Sequence, residues 1–116
     1  MDLILFNALF NIKNYDNVAD NIWIGNALYD PQQLKKLGIE IVINCTTDLP
    51  FKCDFTRNYR IPVVHANKIT EEQFNFVNSL FAENRPTFIH CYHGFMRSAA
   101  FIKKYTGKKV IKSIRC

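Results

Sequence analysis

The segment His90–Ser98 reads HCYHGFMRS: a cysteine, five intervening residues, an arginine and then a serine. These residue types at this spacing fit phosphoryl transfer. A short loop running into a helix can curl until successive backbone N–H groups point at one centre. That makes an anion nest, reinforced by the positive end of the helix. Gly94 permits a backbone conformation that a Cβ would penalise. Tyr92, His93, Phe95 and Met96 supply the other N–H groups of the phosphate-binding loop. Arg97 closes the ring with a planar fork suited to two phosphate oxygens. Cys91 starts the loop, so its sulfur belongs below the anion. There the N–H groups and the helix end bring a thiol from about 8.5 into the range of roughly 3.5–7.5. A thiolate in that place attacks phosphorus in line and forms a phosphocysteine. Ser98 can offer its hydroxyl to the sulfur as the thiolate leaves, and His90 supports the nucleophile by hydrogen bonding.

Such a loop works only when a strand and a helix hold its ends. TFIH (87–90) is a short apolar strand before it, and SAAFIKKYTG (98–107) reads as a helix closing on Gly107. Upstream, NIWIG (21–25) reads as a strand ending on a Gly turn, with Trp23 in the core. In DPQQLKKLG (30–38), Asp30 is an N-cap, Pro31 suits the first helical position and Gly38 the stop. Leu34 and Leu37 face inward. IEIVIN (39–44) has the apolar, β-branched run of a strand buried on both faces. CTTDLPFKCDF is a loop. NYRIPVVH (58–65) reads as a strand that Pro62 pushes towards an edge or a bulge, with His65 capping its end. In ITEEQFNFVNSLF, Thr70 caps a helix, Gln73 completes a capping box and Ile69 can staple to Phe74. Phe74, Val77 and Phe81 repeat at core spacing. The alternation predicts an α/β domain: a central, mostly parallel sheet flanked by helices. Its ligands sit at the carboxyl ends of the strands, where Cys91 stands.

Length and composition agree with one ordinary core. The chain has 116 residues, 48% hydrophobic and 22% charged, which argues against a disordered tail or a coiled coil. Its net charge of +5 favours an anionic partner without choosing among phosphoprotein, nucleic acid and acidic surface. No apolar run reaches the roughly 18 residues of a membrane span. The start, MDLILFNALF, is a poor signal peptide, with no preceding basic residue and no cleavage site. An intracellular, cytoplasmic protein with reduced cysteines is the expectation. Cys45, Cys53, Cys91 and Cys116 show no zinc-ligand spacing, and no metal site is indicated. If the strands before Cys45 and Cys91 are neighbours, the two thiols share one sheet edge. Cys45 is then either a small buried hydrophobe or a partner that traps an oxidised Cys91.

The loop resembles the signature of the cysteine-dependent protein tyrosine phosphatases, HCxxGxxR followed by Ser or Thr. His90, Cys91, Gly94, Arg97 and Ser98 all match it. NIWIGN is similar to the first-strand segment of the dual-specificity branch, and LKKLGIEIVINCTTDLP resembles its helix, strand and following loop. The small size and the lack of long insertions fit that branch. The resemblance implies a phosphatase of phosphotyrosine and phosphoserine or phosphothreonine in proteins, with a phosphocysteine at Cys91 and no cofactor. It assigns residues 18–116 to the catalytic domain and leaves 1–17 as an apolar helix and linker. In that helix Leu3, Phe6 and Phe10 share a face. It is expected either to fold back on its own domain or to dock on a second copy as a homodimer.

One part of the pattern is missing. The family carries an Asp general acid on the loop before the capped helix. Here that loop reads HANKIT, and Asn67 or Lys68 stands where the Asp is expected. No Asp follows Asp54. Asp48 in the CTTDLP loop is the first substitute, Glu71 and Glu72 the next, and no dedicated acid the remaining outcome. A missing acid supports a second reading. HGF inside the loop resembles the HCTHGFNRT signature of RNA 5′-triphosphatases, whose diphosphate leaving group needs little protonation. RNA is the partner under that alternative. A phosphate-binding pseudophosphatase is a third reading, opposed by intact Cys91 and Arg97. Lys103, Lys104, Lys108, Lys109 and Lys112 read as a solvated helix face.

Overall fold

The computed structural model describes residues 14–92 and 97–107. The apolar start, loop residues His93, Gly94, Phe95 and Met96, and the tail with Lys108, Lys109, Lys112 and Cys116 lie outside the described residues. The strands are β1 (Tyr15–Ala19), β2 (Ile22–Gly25), β3 (Ile41–Asn44), β4 (Arg57–Arg60) and β5 (Thr87–His90). The helices are α1 (Pro31–Lys36), α2 (Glu71–Ala82) and α3 (Arg97–Thr106), with a 3-10 turn at Ala66–Lys68. One sheet runs β1-β2-β5-β3-β4. β2, β5, β3 and β4 are parallel, and β1 joins β2 antiparallel. The expected mostly parallel α/β sheet is therefore present.

Alternation along the strands builds two cores. Ile22, Ile24, Ile41, Ile43 and Ile89 face one layer with Val77, Leu80 and Phe81 of α2 and Phe101 and Ile102 of α3. Val42 and Phe88 face the other, with Tyr29, Leu34, Ile39 and Cys53. Every residue of β3 and of β5 is buried, which is why their sequences read as continuous apolar runs. Gly25 lies opposite His90. A Cβ there would overlap the Phe88 ring and come within 2.9 Å of the Asn14 carbonyl oxygen, so only glycine fits.

The capping signals form as read. Asp30 accepts from the Gln32 N–H at 2.9 Å. Thr70 and Gln73 close the capping box at 3.1 and 3.0 Å. Gly38 and Gly107 end their helices with φ of 75°. Two elements differ from expectation. β1 occupies part of the stretch read as linker, so the boundary between residues 17 and 18 falls inside a strand. Its polarity hides it: Asn17 faces outward and its amide bonds the carbonyls of Ala19 and Ile22. The strand read over 58–65 stops at Arg60. Ile61 and Val63 still donate to Asn44 and Cys45, at 2.9 and 3.2 Å, but Pro62 has no N–H and the chain turns outward at Val64. β4 is left as a short edge strand, with Arg57 held by Glu83 at 2.7 Å.

Candidate active site

The carboxyl ends of β2, β5, β3 and β4 share one edge, with Gly25, His90, Asn44 and Arg60 in register. Cys91 follows β5, the central strand, and is only 1% exposed. The loop returns at Arg97, the first residue of α3. Tyr92 is anchored to the next strand end, where the Ala27 N–H donates to its carbonyl at 2.9 Å. On the other side the Cys45 N–H donates to the carbonyl of His90 at 2.8 Å. Strand neighbours thus fix the entrance of the loop from both sides.

His90 is buried between rings, with centroids 4.8 Å from Tyr29 and 5.7 Å from Phe88. Its Nδ1 donates a long bond of 3.4 Å to the Cys91 carbonyl. Burial lowers its pKa from 6.5 to about 4, and the cations Lys52, Arg60 and Arg97 push the same way, against the Cys91 bond. The edge is therefore a region of positive potential, suited to a phosphate. The folded state binds fewer protons than the unfolded chain between pH 6.5 and 4, so the full stability exists above pH 6.5 and is lost as pH falls through that window. The effect is ~3 kcal/mol when complete. Urea midpoints should fall from pH 7 to pH 4.5 in the parent and much less in His90→Asn. Equal slopes in both proteins would show that His90 is not the group responsible.

Arg97 is the other end of the clamp. Its Nη1 donates to the Val63 carbonyl at 2.9 Å. That bond orients the guanidinium and ties the segment after β4 to the start of α3. Ser98 is fully buried beneath it. Among the described residues, the buried side-chain polar atoms without a partner are Asn26 Nδ2, His90 Nε2, Ser98 Oγ and Asn78 Oδ1. Three of these belong to the strand end, strand and helix that frame Cys91. β3 pairs with β5, so Cys45 stands on the strand end beside it, and it packs in the core. Burial first, then the neighbouring Cys91, raises the Cys45 thiol well above its ordinary range, with Arg97 opposing. Cys45 stays protonated and is not a competing nucleophile.

The loop after β3 is strapped down. Asn44 holds Leu49 at 2.8 Å, and Arg60 donates to the carbonyls of Thr46 and Leu49 at 3.0 and 2.6 Å. Lys52 reaches the carbonyls of Ala27 and Tyr29 at 2.6 and 3.2 Å, with its ammonium over the Tyr29 ring. Asp48 is exposed on this loop, whose side-chain bonds run to Arg60 rather than to Arg97. Glu71 and Glu72 are exposed in the first turn of α2, where they complement its dipole. Trp23 is half-buried rather than fully in the core. Reading the sequence alone missed Val63, which acts through a carbonyl every residue possesses, and the Tyr29–Lys52 pair, which long-range folding brings to His90. Asn26 had a signal, the Asn that follows the glycine of NIWIGN.

The profile of the dual specificity phosphatase catalytic domain matches residues 22–110, most of the chain. The chain belongs to this family. It is a cysteine-dependent phosphatase domain, and phosphorylated molecules are its substrates. No curated protein matches it. Among solved structures, human DUSP28 is 16% identical with a TM-score of 0.69, over 83% of this chain and 73% of that one. TpbA of P. aeruginosa is 21% identical with a TM-score of 0.65, over 82% of this chain and 63% of its own. OH1 of Orf virus is 19% identical with a TM-score of 0.60, over 81% of this chain and 59% of its own. The phosphatase domain thus spans less than two thirds of TpbA and OH1. At these identities the structural likeness is one of fold. Among the described residues no helix is long and apolar enough to cross a membrane.

Proposed function

We propose that this domain hydrolyses phosphotyrosine, and phosphoserine or phosphothreonine, in proteins through a phosphocysteine on Cys91. The observation that carries the reading is the placement of Cys91. It directly follows the central strand, buried, while Arg97 opens the following helix and is oriented by Val63. The Cys91 thiolate attacks phosphorus, and the bond to the leaving oxygen breaks. The loop N–H groups and the Arg97 fork stabilise the equatorial oxygens as charge gathers on them. Water then attacks the phosphocysteine. The S–P electron pair returns to sulfur, with the Ser98 hydroxyl donating to it. His90, neutral and wedged between Tyr29 and Phe88, fixes the cysteine carbonyl and takes no proton.

Two solved structures favour a protein substrate. A TpbA variant was solved with phosphotyrosine, and OH1 is described as a tyrosine phosphatase with triple substrate specificity. The deciding experiment compares kcat/KM on a phosphotyrosine peptide, a phosphothreonine peptide and triphosphate-ended RNA. The phosphotyrosine peptide should be turned over fastest. Faster release of the RNA γ-phosphate would replace this reading with the RNA 5′-triphosphatase one.

A further inference from the structure

We propose that His65 is the proton donor to the leaving oxygen, taking the part for which the sequence offers no aspartate. The inference rests on the phosphatase reading above and adds a catalytic residue to it. The segment that leaves β4 is the one that touches the phosphate clamp, because the Val63 carbonyl accepts from Arg97 at 2.9 Å. Val63 is buried, while Val64, at 68% exposed, and His65 emerge from the core directly after that contact. His65 Cα therefore lies within ~7 Å of the Val63 Cα, the reach of two residues. The backbone around it is held at three points. Gln73 Nε2 donates to the Pro62 carbonyl at 3.2 Å, Val63 N–H to Cys45, and Lys68 N–H to the His65 carbonyl at 2.9 Å. His65 itself is extended, with φ −137° and ψ 145°, and its side chain makes no capping bond to the 3-10 turn that follows.

The other titratable groups fit the role less well. Asp48 sits on the loop tied to Arg60, and Glu71 and Glu72 lie beyond the 3-10 turn on α2. Lys68 shares the segment and lies in the 3-10 turn, where its N–H is bound to the His65 carbonyl. Histidine is the side chain most often used as a general acid or base in catalysis. The charged and titratable residues on the elements bonded to the segment are Arg97, Lys68, Cys45 and, in the turn of α2 that holds Gln73, Glu71 and Glu72. In the first step the Cys91 sulfur bonds to phosphorus as the P–O bond breaks. The leaving oxygen takes the electron pair and the proton of the His65 imidazolium. In the second step the neutral imidazole takes a proton from the attacking water, the S–P bond breaks and the thiolate is restored. Protons balance over the cycle, and no co-reactant beyond water is needed.

The test measures kcat/KM against pH for the full chain on phenyl phosphate and on dinitrophenyl phosphate, whose leaving group needs no proton. His65→Ala should lose ~10²–10⁴-fold on phenyl phosphate and under about tenfold on the dinitrophenyl ester. The basic limb of its pH profile should disappear. His65→Asp should recover activity on phenyl phosphate. Equal losses on both esters, or a basic limb that persists in His65→Ala, would overturn the proposal. So would the selective loss appearing in Asp48→Asn instead. Failure of the phosphatase reading itself looks different: the parent would not cleave the dinitrophenyl ester, or would cleave it equally well without Cys91.

Discussion

Cys91→Ser should abolish turnover of every phosphate monoester, by on the order of 10⁴-fold or more, while leaving anion binding within a few fold. The hydroxyl that replaces the thiol is a far weaker acid, so no alkoxide is present to attack. The clamp that binds the anion stays whole, because neither Arg97 nor its bond to Val63 depends on the sulfur. Turnover on an aryl phosphate, together with calorimetric binding of tungstate or phosphotyrosine, reads both halves of the expectation. More than about one per cent of parental activity in Cys91→Ser would sink the phosphocysteine mechanism.

The second large effect is at Arg97. Arg97→Ala should lower kcat/KM by roughly 10³–10⁵-fold, as expected for an arginine that stabilises phosphoryl-transfer charge. Arg97→Lys should lose nearly as much. One ammonium cannot bond the Val63 carbonyl and straddle two phosphate oxygens in the plane of a fork. The same substitutions release the segment after β4 from α3, at a cost of about 0.5–1.5 kcal/mol in stability. Urea midpoints separate this small structural effect from the catalytic one. Parental activity in Arg97→Lys would mean that charge alone, not the fork, is used.

What was legible in the sequence is what local chemistry specifies. The capping box at Thr70 and Gln73, the Asp30–Pro31 helix start and the buried runs of β3 and β5 each declare themselves within a few residues. HCYHGFMRS does the same for the nucleophile and the clamp. The hidden parts depend on distant partners. β1 is polar because an edge strand buries only one side, so its sequence looks like a linker. The end of β4 is set by Pro62 and by the Val63 carbonyl turning to an arginine 34 residues away. Residue type and strand order alone do not single out a proton donor. Only the bonds of the two neighbouring loops separate Asp48, whose loop is tied to Arg60, from His65, whose segment is tied to Arg97.

The two edges of the sheet carry a consequence for how copies of this domain meet. An uncovered strand edge is a template for intermolecular pairing, the first step towards aggregation. β4 blunts that template by being four residues long, by holding Arg57 against Glu83, and by running into Pro62. β1 blunts it with Asp16 and Asn17 and with a break in register between Asn17 and Ala19. Neither edge offers a flat, apolar row for another strand to extend. Among the described residues, then, the strand edges should not seed cross-strand fibres between crowded copies of this domain.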